Sequence, residues 1–187
     1  MTLTASELIY SGDPESRRLG LELLQQIQPD NAQARDIAST LLATEVEPEI
    51  LVNTLTTLAR PGTVEDESRD FLTDQVAFLT GHEDASVRSI SINILSRWSQ
   101  DGRHTDTLRG GLSDSEAVVR ESAAYSLVGY DSVDQSVIDS LLSVAVNPNE
   151  NTRARRGAIL ALKGMTISDI ERQQVNDAET ELDTVRR

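Results

Sequence analysis

Apolar positions recur along this chain in one frame, repeated five times. Between Leu112 and Tyr130 the sequence reads LSDSEAVVRESAAYSLVGY, and its frame is Val119, Arg120, Ala123, Leu127 and Tyr130. Counted from the arginine, an apolar residue stands at −1, a small one at +3, a leucine at +7 and a large apolar one at +10. Arg88 repeats this with Val87, Ser91, Leu95 and Trp98; Arg155 does so with Ala154, Ala158, Leu162 and Met165; Arg17 does so with Gly20, Leu24 and Ile27. The weakest copy centres on Leu51, with Ile50, Thr54 and Leu58. The reference positions 17, 51, 88, 120 and 155 are spaced by 34, 37, 32 and 35 residues. Positions at such offsets share one face of a 3.6-residue period, so each copy predicts an amphipathic helix. A near-constant interval of this length marks a repeat protein.

These second, or B, helices are predicted over 14–27, 48–59, 85–99, 116–129 and 152–164. Their starts carry cap residues or a first-turn proline: Asp13-Pro14, Glu47-Pro48, Asp84, Ser115 and Asn151. One amphipathic helix cannot bury its stripe alone, so a first, or A, helix must precede each. The candidates are Thr4–Tyr10, Asn31–Ala43, Ser68–Thr80, Arg103–Leu112 and Val133–Val146. The first opens on a capping box, Thr4 with Glu7. The third offers Phe71, Leu72, Val76 and Leu79 to the core. Repeats therefore span about 3–27, 31–60, 66–99, 103–130 and 133–165 of a single domain, 1–187. Ser168 and Glu171 start a last, very polar helix over about 167–186, which suits the terminal cap that a repeat array needs. No segment alternates with period 2, so no strand is predicted.

The frame Asp-x-x-Val-Arg-x-x-Ala-x-x-x-Leu resembles the HEAT repeat, in particular the short bacterial and archaeal kind named after phycobilisome lyases. Residues 84–88, DASVR, fit it directly, whereas before Val119 the aspartate is replaced by Glu116 and Asp114 lies two residues too early. The resemblance covers roughly residues 4–165. It implies an all-α fold, an α-α superhelix of about five helix pairs with a C-terminal capping helix. It implies much less about activity, because fold does not fix function. Most members are binding scaffolds. A minority are lyases for tetrapyrrole chromophores or enzymes that excise DNA bases, and some small ones resemble immunity or assembly partners.

Composition narrows the choice. Net charge is −14, which repels nucleic acid and anionic membrane and attracts basic partners. Only one of the 17 basic residues is a lysine, Lys163; an acid excess of this kind accompanies either a high-salt proteome or codon bias with a solvated acidic surface. There is no cysteine, so disulfides, thiolate metal sites and thiol nucleophiles are excluded. No stretch approaches the roughly 18 apolar residues of a membrane span, and the N-terminus has no leader pattern. A cytoplasmic location is expected.

Candidate chemistry is sparse. His82 and His104, the only histidines, fall in turns with no second histidine at helical spacing, so no metal site is expected. No paired carboxylates, Ser-His-Asp order or phosphate loop can be defended, so neither catalysis nor a cofactor is expected. The recurring arginines are expected to order the turns between repeats, and Trp98 and Tyr130 to lie in the core. Positions +1, +5 and +8 line one side of the B helices, which in HEAT-like solenoids tends to be the concave surface. There Arg18, Glu22, Asn93, Tyr125, Val128, Arg156 and Leu160 are candidate contacts for a protein partner, with Tyr125 as the anchor. A second candidate surface is acidic: residues 45–84 hold ten carboxylates against two arginines. Its densest part includes Glu65, Glu67 and Asp70, and it suits a basic partner.

Overall fold

The computed structural model describes residues 4–26, 32–58, 66–99 and 102–184, and these hold eleven α-helices and no strand. The chain divides into two compact units, Met1–Ser99 and Gln100–Arg187.

The first unit carries α1 (Ala5–Ile9), α2 (Pro14–Gln26), α3 (Ala32–Thr44), α4 (Pro48–Thr57), α5 (Asp66–Leu79) and α6 (Ala85–Trp98). Helix starts follow local chemistry. Thr4 and Glu7 form the expected reciprocal box, Thr4 N to Glu7 Oε2 at 2.7 Å and Glu7 N to Thr4 Oγ1 at 3.3 Å. Asp84 accepts from Ser86 N and Val87 N at 2.8 and 3.1 Å and starts α6, whereas α4 starts on Pro48 without a side-chain cap. Helices pair in sequence, α1 with α2, α3 with α4 and α5 with α6, and the B helices α2, α4 and α6 then pack in succession. Ile9, Leu21, Leu24, Ile37, Leu41 and Ile50 form one buried cluster. Gly20 lets α1 lie directly on α2: a Cβ there would sit 2.7 Å from Ile9 Cγ1 and 2.9 Å from the Ala5 carbonyl oxygen. Trp98 is buried as expected, and its indole N–H donates to the Leu58 carbonyl at 2.7 Å.

The second unit carries α7 (Thr105–Gly111), α8 (Ala117–Ser126), α9 (Gln135–Val146), α10 (Thr152–Gly164) and α11 (Asp169–Thr184). Here α7 pairs with α8 and α9 with α10, α8 packs on α10, and α11 closes against both α9 and α10. The core is Leu108, Val119, Ala123, Leu127, Leu141, Ala158 and Leu162, to which α11 adds Val175, Ala178 and Leu182. The last helix is thus a cap with a thin buried stripe, and its Ser168–Glu171 box forms as expected.

Three expectations need correcting. Ser115 does not cap α8; the helix begins at Ala117 after Glu116, and Asp114 turns the chain by accepting from Glu116 N at 2.8 Å. Tyr130 is half-buried rather than core, because α8 ends at Ser126 and Gly129, at φ 94°, turns the chain before the tyrosine. Phe71 is not in the core: it is 59% exposed, while Leu72, Val76 and Leu79 occupy the opposite, buried face of α5.

Candidate interaction surface

The four repeat arginines are structural. Arg120 donates through Nη1 to the carbonyls of Asp114 and Ser115 at 2.7 and 2.9 Å, and through Nε and Nη2 to both oxygens of Glu150 at 2.7 and 2.8 Å. Arg17 does the same with the Ser11 carbonyl at 3.2 Å and with Glu45 at 2.8 and 3.4 Å. Arg88 donates to the His82 and Glu83 carbonyls at 2.9 and 2.8 Å. Arg155, only 3% exposed, donates to the Ala145 carbonyl at 2.9 Å and to Glu181 at 2.6 Å. Each arginine thus satisfies turn or helix-end carbonyls, and Arg17, Arg120 and Arg155 also grip a carboxylate from a later turn or helix.

These contacts account for the shifted titrations. Arg120 holds Glu150 below the usual glutamate range, against the opposing effect of burial, and the Asn151 N–H assists. Burial of Glu45 alone would raise it, but the backbone N–H groups of Glu47 and Val46, with Arg17, outweigh that and leave it lowered. The lowered carboxyls of Glu7, Asp13 and Glu171 are each held down by cap hydrogen bonds. Among the described residues no His, Asp and Glu side chains gather in a group able to hold a metal ion. His82 is a turn residue whose Nδ1 accepts from Asp84 N at 3.0 Å.

The B-helix candidates separate between the units. In the first, Arg18 pairs with Glu22 one turn on and with Glu15 at 3.0 Å, so two of the candidates neutralise each other. Asn93 on α6 donates to the Ser89 carbonyl at 3.1 Å. Asp70 lies on α5, as does Glu67, and Glu65 falls outside the described residues.

In the second unit, Tyr125, Arg156 and Leu160 come together. They line a groove of about 270 Å³ with Ile159, Lys163, Glu179, Leu182 and Asp183. Tyr125 stands 41% exposed on α8, and its ring lies over Gly157, where a Cβ would be 3.0 Å from the ring edge. Leu160 is 50% exposed on the groove wall, while Ile159 and Leu182 are buried beneath. Lys163 closes one rim by donating to both oxygens of Glu179 at 2.6 Å. Arg153 pairs with Glu121 at 3.8 Å and Arg155 with Glu181, but Arg156 pairs with none of the described carboxylates. Val128 is exposed but does not line the groove. Sequence reasoning missed the α11 wall, because nothing in the repeat frame says where a capping helix will lie.

The groove therefore offers an apolar floor, an exposed aromatic and an arginine, in a volume below the roughly 300–1,000 Å³ typical of small-molecule pockets. That suits one or two side chains of a polypeptide. Among the described residues no helix is long and apolar enough to cross a membrane.

The comparisons with known proteins agree with the fold. A family model described as HEAT repeats matches residues 75–163, from within α5 to the end of α10. No curated protein matches the chain. Two crystal structures of engineered proteins from the Northeast Structural Genomics Consortium are similar: one has a TM-score of 0.64 at 18% identity, covering 94% of this chain and 85% of that one. The other has a TM-score of 0.63 at 18% identity, covering 95% and 85%. At such identity the likeness is one of fold alone.

Proposed function

We propose that this all-α chain, with HEAT repeats over residues 75–163, is a non-catalytic scaffold or adaptor that binds a protein partner. The observation that carries this is the groove of the second unit, where Tyr125, Leu160 and Arg156 converge over a buried floor. Apolar anchors beside Arg156, which has no ion partner among the described residues, suit a peptide segment that brings an apolar side chain and a carboxylate. The resolved carboxylate shifts all run downward and arise from caps and inter-repeat pairs, so they support structural roles rather than a poised general acid.

The test is capture from native lysate at low and high salt with the wild-type chain, Leu160→Asp, Arg156→Glu and a control, Val118→Asp, an exposed α8 position outside the groove. A protein retained by the wild type and the control and released by both groove variants is expected. Affinity for it should fall by about thirtyfold, the usual loss at an anchor position. Retention by Leu160→Asp equal to wild type overturns the groove as the site.

A second reading is an immunity- or chaperone-type partner for a basic protein, bound through the acidic 45–84 region. What favours it is α5, which holds four carboxylates and a single arginine. It requires affinity that falls steeply with salt.

A further inference from the structure

Helices α10 and α11 bring two cations and two carboxylates to the groove of the second unit, and only half of that charge is paired. Lys163 donates to both oxygens of Glu179 at 2.6 Å. Arg156 stands two helical turns before Lys163 on α10, about 10.5 Å along the axis, and Asp183 one turn beyond Glu179 on α11. Neither has an ion partner among the described residues, and they do not pair with each other although both line the groove. Arg156 is half-buried and Asp183 exposed. Beside these open charges lies apolar surface: Ile159 and Leu182 are buried and Leu160 is exposed. The Tyr125 ring is seated rather than free. A Cβ on Gly157 would sit 3.0 Å from the ring and 3.1 Å from Ala124 Cβ, so its absence lets α8 bring the ring down on α10.

We propose that the groove takes a dipolar segment of a partner protein, one that brings an apolar side chain for the floor, a carboxylate for Arg156 and a cation for Asp183. The inference rests on the groove reading above and adds the second charge to it. A ligand that covers a charged group removes its water, and must bring the opposite charge or strand the group. A segment with two carboxylates meets Arg156 but is repelled by Asp183, and one with two cations fails the other way. A neutral apolar segment leaves both unmatched. Lys163 and Glu179 cancel each other and add no preference. The site therefore selects mixed charge around an apolar residue.

The probes are capped heptapeptides of alanine and serine with leucine at the centre. Charged residues stand two positions to either side, the offset that puts side chains on one face of an extended segment. One set carries a glutamate and a lysine in both orders, a second two glutamates, a third two lysines. Each is titrated into the full chain and followed by NMR shifts at Tyr125 and Leu160. A mixed peptide should bind the wild type about tenfold more tightly than either like-charged one, and the margin should shrink with added salt. Asp183→Lys should make the two-glutamate peptide the tightest, and Arg156→Glu the two-lysine peptide. Circular dichroism should be unchanged in both; if Arg156→Glu loses helix, Arg156→Gln replaces it and should erase the advantage of the glutamate. Leu160→Asp should weaken every peptide. A ranking that neither charge reversal alters, with binding still lost in Leu160→Asp, overturns the inference and leaves the groove reading standing. Binding of no peptide, or binding indifferent to Leu160→Asp, overturns both. A dimer in sedimentation that Leu160→Asp splits would put a second copy in the groove and so overturn the proposed occupant.

Discussion

Helices α5 and α10 are nearly equal in length, 14 and 13 residues, and each buries one side, yet they dispose of charge in opposite ways. Helix α10 holds four cations and no carboxylate, and α5 holds four carboxylates and one arginine. Helix α10 is packed by α8, α9 and α11, and the neighbours α8 and α11 supply Glu121, Glu181 and Glu179 to three of its cations. Helix α5 packs on α3 and α6 and leaves Phe71 and Phe78 exposed. In this acidic chain, the cations of α10 are spent where elements meet. The exception, Arg156, carries the functional argument.

The contrast can be broken most forcefully in the core. Leu162→Ala in α10 should cost about 2–5 kcal/mol, as cavities in packed cores do, whereas Phe78→Ser in α5 should change stability by less than about 0.5 kcal/mol. Urea denaturation measures both, and similar losses would mean that the outer face of α5 is packed after all. Next comes Arg155→Ala, which strips the Ala145 carbonyl and Glu181 of their donor. A loss of about 1.5–3 kcal/mol is expected by the same measurement, since a buried hydrogen bond to a charged group is removed; a neutral result would reduce the pairing around α10 to decoration. The smallest effect concerns acid. Glu150 titrates below its ordinary value of 4.5 when folded, so its contribution is complete above that value and is lost as the pH falls through the folded one. Glu150→Gln should therefore lower stability by about 1 kcal/mol at pH 7 and leave a shallower decline below about pH 4.5. An unchanged acid limb would show that Glu150 does not sense folding.

Most of the fold was legible because many of the helices carry local signals at their ends. Capping pairs three residues apart, a first-turn proline and a fixed offset from arginine to leucine are local signals, and they located all eleven helices to within a few residues. The arginines could be set aside as structural for the same reason, since a residue repeated at a fixed place in four of the five copies answers to the turn. What stayed hidden depends on neighbours. Phe71 follows Asp70 and precedes Leu72, so a count of apolar residues places it in the stripe; only the direction from which α3 and α6 approach decides that Leu72 faces inward and Phe71 does not. The groove was half legible. Tyr125, Arg156 and Leu160 follow from the B-helix register, but Glu179, Leu182 and Asp183 come from α11, which obeys no repeat.

The arginine pairs also act as a ruler. Arg17 reaches Glu45 across 28 residues, Arg120 reaches Glu150 across 30, and Arg155 reaches Glu181 across 26. Each span begins on a B helix and crosses a whole inter-repeat junction. An insertion or deletion inside such a span, the 166–168 turn before α11 included, moves the carboxylate off its arginine. A repeat that carries such an arginine can therefore be exchanged only together with the junction that holds its carboxylate. At these three junctions the exchangeable unit is the interval from arginine to carboxylate rather than the helix pair that the eye picks out.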